Sequence, residues 1–252
     1  MQQRIPIVMM FWRGCERLKT SWINRSDLES CMTTRAPKLV IFDCDGVLVD
    51  TERPSNEVLV KNLARRGLSL SLEECMNLFV GGTMADVGRK ARDLGADIPD
   101  DWTDEIYAQM YARLKQGIDP IPGIPEVLDV LDGAGIPFCV GSNGSPEKMG
   151  ITLGQTGLLK RFEGAMFSPH VIGMDKAKPN AGLFLHAAEQ MGVAPDDAVV
   201  IEDSVNGARG AKNAGIRCFG YAADSDADAL QAEGAVPFMA MAELPDLLGL
   251  SG

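Results

Sequence analysis

From Lys38 onward, short apolar runs alternate with longer stretches in which apolar residues recur every three or four positions. The runs Leu39 to Phe42, Pro137 to Val140, Ala198 to Ile201 and Arg217 to Tyr221 carry little polar alternation, which predicts strands covered on both faces. The spacing between them predicts helices such as Pro125 to Ala134, stopped by Gly135, and Ala181 to Met191, stopped by Gly192. Strands and helices in this order predict an α/β fold, a doubly wound, Rossmann-like parallel sheet with helices on both sides.

Two segments depart from that rhythm. Residues 53–117 have helical periodicity, two N-terminal capping patterns (Ser71 with Glu74, Thr83 with Asp86) and no clear strand, so they read as an inserted helical bundle. The return to the core runs through Asp119-Pro120-Ile121-Pro122-Gly123, a stiff connector ending in a turn residue. The core is then residues 36–52 together with 118–248. Residues 1–35 hold two of the three tryptophans, and six Lys/Arg against three Asp/Glu in an otherwise acidic chain. They read as an extension, with Met32 the expected true start.

Composition narrows the function. The 252 residues carry 24 Lys plus Arg against 35 Asp plus Glu, a net charge of -11 that repels a nucleic-acid backbone. The longest apolar run, Ile5 to Trp12, is far short of the roughly 20 residues a membrane span needs. The six cysteines are scattered without metal-binding spacing, which predicts reduced thiols and a cytoplasmic location. Oligomeric state has no legible signal in the sequence.

The chemistry lies at the strand ends. Leu39-Val40-Ile41-Phe42 runs into Asp43-Cys44-Asp45-Gly46-Val47-Leu48-Val49-Asp50, placing two carboxylates where a buried strand stops and open α/β sheets build their sites. Carboxylates this crowded repel one another unless a cation or a proton intervenes. With these residues the chain resembles the haloacid dehalogenase superfamily of phosphotransferases. The other family motifs follow in order: Ser142 in Val140-Gly141-Ser142-Asn143-Gly144, Lys178 in Lys178-Pro179-Asn180, and the acidic pair Glu202-Asp203 after Val199-Val200-Ile201.

The resemblance implies Asp43 as nucleophile and Asp45 as proton donor and then base. It implies Ser142, Asn143 and Lys178 as binders of the phosphoryl oxygens. Mg²⁺ would be held by Asp43, the Asp45 main-chain carbonyl and Asp203, with Glu202 bound directly or through water. Such a set meets what phosphoryl transfer asks of a protein: an aligned nucleophile, cations for the oxygens and a donor for the leaving group. Plainer readings suit the remaining candidates. Asp50 and Ser204 read as turn or cap residues, His170 as a loop residue and His186 as structural; Lys176 is the fallback for Lys178. Cys44 should point away from the site, because neighbouring side chains alternate.

Within the family, the bundle over residues 53–117 resembles a helical cap, which implies a small phosphorylated metabolite as substrate. Asp45 argues against dehalogenation, and nothing around Lys61 marks it as a Schiff-base lysine. A β-phosphoglucomutase-like phosphotransferase is the main alternative, but the cap histidine and arginine of that group are replaced here by Ser55 and Met84. The run Phe79-Val80-Gly81-Gly82-Thr83 and the stretch from Val140 to Gly144 with Lys148-Met149 resemble bacterial sugar-phosphate phosphatases of the 6-phosphogluconate type. A non-turnover phospho-aspartate switch or binding protein is the alternative from another class. In receiver domains the acidic pair comes first and the lysine last; here the acceptor Asp43 comes first and the pair last.

Overall fold

The computed structural model describes residues 36–79 and 84–250. The extension, Met32 and the Thr83 capping pattern fall outside the described residues. Six parallel strands form one sheet: β1 Leu39–Phe42, β2 Phe138–Gly141, β3 Met166–Phe167, β4 Ala198–Glu202, β5 Arg217–Tyr221 and β6 Val236–Phe238. Their order is β3-β2-β1-β4-β5-β6. The winding reverses between β1 and β4, where Phe42 pairs with Ile201, so a crevice opens beyond the carboxyl ends of those two strands.

The helices are α1 Glu52–Arg65, α2 Leu72–Phe79, α3 Met84–Asp93, α4 Trp102–Leu114, α5 Ile124–Gly133, α6 Pro146–Gln155, α7 Pro169–Ile172, α8 Gly182–Gln190, α9 Val205–Ala214, α10 Ala227–Ala232 and α11 Leu244–Leu247. Strand alternation divides the core into two layers. Val40 and Phe42 face one, where Phe42, Phe138 and Phe162 meet edge to face at 5.2–6.4 Å between centroids. Leu39 and Ile41 face the other, with Phe184 of α8 and the alanines Ala208 and Ala211 of α9. Gly210 lets α9 lie against Phe184: a Cβ there would stand 3.2 Å from the ring.

Helices α1 to α4 surround a hydrophobic cluster of their own, built on Leu59, Leu63, Cys75, Val87, Trp102 and Ile106. The buried Trp102 donates its indole N–H to Asn62 Oδ1 at 2.8 Å. Ser71 and Glu74 form the expected capping box, each side chain accepting from the other's backbone N–H at 3.1 and 2.8 Å. The chain enters and leaves this helical layer side by side: Asp50 N donates to Asp119 O and Ile121 N to Leu48 O, both at 3.1 Å.

Strands β3 and β6 were not visible in the apolar pattern. They are two and three residues long, too short for a run to show, and Pro237 restricts β6 to the sheet edge it occupies.

Candidate active site

Asp43 extends β1 by one bond, its N–H donating to Ile201 O at 2.9 Å, and its side chain enters the crevice at the reversal point. Glu202 closes β4 and Asp203 follows it. Two glycines let the chain crowd these acids together. Gly46, at φ +74, brings the turn after Asp43 against Asp203, where a Cβ would lie 2.0 Å from Oδ2. Gly207 seats the first turn of α9 on Glu202, where a Cβ would lie 1.8 Å from Cδ.

Asp43, Glu202 and Asp203 each offer a carboxylate oxygen, and the three oxygens lie within 4.8 Å of one another. Lys178 reaches into the group: its Nζ donates to Asp43 Oδ1 at 2.5 Å and also to Glu202 Oε1. The other Glu202 oxygen accepts from the Ser204 hydroxyl at 2.9 Å. One ammonium does not balance three carboxylates, two of them buried and the third partly so. Burial pushes Asp43 up to about 6, against the pull of Lys178 and with the help of Glu202 and Asp45. Burial, with Glu202 and Asp43 adding to it, pushes Asp203 well above the carboxylate range. An all-oxygen, charge-deficient cluster of this kind fits a hard divalent cation.

Asp45 is held apart from that cluster. It accepts from Lys148 Nζ at Oδ2 and from Thr51 Oγ1 at Oδ1, each at 2.7 Å. Burial would raise its pKa, but Lys148 and the two hydrogen bonds bring it below the usual carboxylate value. Ser142, at the end of β2, is buried and accepts from Gly144 N at 3.2 Å. Both ends of the Asn143 carboxamide bond the Lys178 main chain, at 2.9 and 3.2 Å, so this side chain fixes the lysine loop and leaves its own main chain for a ligand.

All seven predicted residues therefore meet at one end of the sheet. Ser204 caps α9, accepting from Gly207 N at 3.0 Å. Cys44 turns into the apolar layer, with Sγ 3.8 Å from Thr152 Oγ1. Lys61 and His170 are exposed, and His186 stacks edge-on against Phe167. Lys176 and His186 line a hollow of about 410 Å³ along α8 that includes none of the seven. Two contributors were given no role in the site by the sequence reading, Thr51 and Lys148, the latter entering it only within the resemblance of Lys148-Met149 to sugar-phosphate phosphatases. The position of Lys148 is set by the Ser145 cap three residues earlier, in a helix that begins directly behind the Ser142 motif.

The family model for haloacid dehalogenase-like hydrolase matches residues 37–215. The 6-phosphogluconate phosphatase of Escherichia coli K12 is 29% identical over 210 residues, covering 82% of this chain and 93% of that protein. Phosphoglycolate phosphatase 1 of Pseudomonas aeruginosa is 28% identical over 211 residues, covering 78% and 75%. Among solved structures, a conserved haloacid dehalogenase-like protein of unknown function from Agrobacterium tumefaciens superposes with a TM-score of 0.77 at 34% identity, covering 84% of this chain and 97% of that one. A haloacid dehalogenase family hydrolase from Deinococcus radiodurans R1, solved with bound phosphate and sodium, gives 0.75 at 33% identity, covering 85% and 98%. With its four motifs gathered at the reversal point of the sheet, the chain belongs to the haloacid dehalogenase-like hydrolase family, as a phosphoric monoester hydrolase.

Proposed function

We propose that the chain is a Mg²⁺-dependent phosphatase that hydrolyses a small phosphorylated metabolite, a sugar or sugar-acid phosphate, through an aspartyl-phosphate on Asp43. The observation that carries this reading is the division of the carboxylates: Asp43, Glu202 and Asp203 converge on one point, and Asp45 is held outside it by Lys148 and Thr51. Asp43, Asp203 and the Asp45 main-chain carbonyl would hold the ion, with Glu202 acting through water because both its oxygens are already engaged. When bound, the ion supplies positive charge that keeps Asp43 ionised and offsets the charge on the transferring group.

Asp43 attacks phosphorus, forming one P–O bond as the bond to the alcohol breaks. Asp45 gives its proton to the departing oxygen, and a phosphoryl dianion beside it raises its proton affinity against the pull of Lys148. Asp45 then takes a proton from water, which attacks phosphorus and releases Asp43. Ser142, the Asn143 main chain and Lys178 bind the phosphoryl oxygens. The helices α1 to α4, spanning most of residues 53–117, serve as a cap that excludes bulk water. Neutral residues at Ser55 and Met84 favour hydrolysis over a mutase, which must grip a second phosphate.

Two outcomes test the reading. In a panel of phosphorylated metabolites and p-nitrophenyl phosphate, Mg²⁺ should support steady turnover and EDTA should abolish it; turnover that survives chelation contradicts the metal assignment. Gly207→Ala should lower kcat/KM on the order of 10²-fold, because the added methyl displaces Glu202. A parental rate in that variant would mean that Glu202 placement does not limit the reaction.

A further inference from the structure

The space beyond Asp45, on the side away from the three converging carboxylates, has a distinct chemistry. A Cβ built on Gly144 would lie 3.4 Å from Ser142 Oγ, 3.6 Å from Asp45 Oδ2 and 3.8 Å from Lys148 Cδ. The glycine thus leaves open a floor bounded by those three side chains. Under the phosphatase reading, Ser142 marks the phosphoryl side of this floor and Asp45 the ester oxygen. Lys148 therefore stands on the side of the leaving alcohol.

Lys148 comes from the first turn of α6 and is partly open to the crevice, its side chain 24% exposed. An ammonium has three donors, and the bond to Asp45 uses one of them. The helical layer closes over the same point: Tyr111 Oη of α4 lies 3.5 Å from Ser145 Oγ, the residue that caps α6. A group held at Lys148 is thus covered by the cap and kept away from the metal-binding acids.

Resting on the phosphatase reading, we propose that Lys148 is a specificity-determining residue: its ammonium binds a carboxylate carried by the leaving alcohol and so selects phosphorylated acids over neutral polyol phosphates. The reach is short. Hydrogen bonds from the ester oxygen to Asp45, from Asp45 to Lys148 and from Lys148 to the carboxylate place that carboxylate within about 8 Å of the ester oxygen. Substrates of two to six carbons meet this limit.

The test compares 6-phosphogluconate with sorbitol 6-phosphate, which has the same chain length and no carboxylate, in the parent, Lys148→Met and Lys148→Arg. The readout is the ratio of kcat/KM for the acid over the polyol, so that any loss through Asp45 common to both substrates cancels. The parent should favour the acid, Lys148→Met should lower the ratio about tenfold or more, and Lys148→Arg should restore much of it, as expected for a hydrogen bond between charged groups. A parent that does not favour the acid, or a Lys148→Met variant that slows both substrates equally, overturns the proposal. In either case the phosphatase reading stands, since p-nitrophenyl phosphate turnover with Mg²⁺ reports on it separately. A parent that turns over no phosphomonoester overturns both.

Discussion

Asp43→Asn should reduce Mg²⁺-dependent phosphatase turnover on the order of 10⁴-fold, the scale seen when a covalent nucleophile is removed. An amide oxygen is a poor nucleophile, and the substitution also removes a negative charge from the cation cluster. The stability effect should have the opposite sign. Because burial disfavours the Asp43 carboxylate in the folded chain, a neutral isostere should leave the cation-free melting temperature equal or higher. A variant that turns over at the parental rate would remove Asp43 from the chemistry. One that loses activity only because it unfolds would leave the catalytic assignment without support.

Lys178→Met should damage both activity and stability. The lysine side chain is 4% exposed and bonds two buried carboxylates. Its removal leaves them facing Asp203 with no counter-charge, a loss that typically costs about 3–5 kcal/mol, and kcat should fall on the order of 10²–10³-fold as a phosphoryl contact disappears. The pH dependence has a defined sign. Asp43 is pushed from its ordinary 3.8 up to about 6, so between those values the folded chain holds a proton that the unfolded chain has released. Its contribution to stability therefore falls as pH rises through that window. Without the ammonium Asp43 shifts further up, so the deficit of the variant should be largest near neutral pH and shrink towards about pH 5. Denaturant titrations in EDTA at the two pH values measure it. A deficit independent of pH would point to lost packing against Phe184, whose ring lies 5.0 Å from Nζ, and not to lost charge.

Residues close together in sequence were legible, and so were those fixed by strand ends. Asp43, Ser142 and Glu202-Asp203 each follow an apolar run, and the ends of parallel strands meet at one edge of a sheet whatever the details of packing. Lys178 has no strand before it and was legible only through its place in the ordered family motifs. The contacts of Lys148 and Thr51 with Asp45 were not legible from either kind of signal, because they depend on how α6 and α1 settle against the turn that follows β1. Thr51 stands directly ahead of α1 but makes no capping bond, and its hydroxyl goes to Asp45 instead. The role of the Asn143 side chain was likewise hidden, because the sequence does not show that the Lys178 loop lies within its reach.

The side-by-side crossing at Asp50–Asp119 and Leu48–Ile121 has an evolutionary consequence. A module whose two ends leave its host at adjacent points can be lengthened, shortened or exchanged without shifting the register of the sheet beneath it. Divergence can then change which molecules are admitted while the hydrolytic machinery stays fixed, so relatives with different preferences should differ most between these two ties.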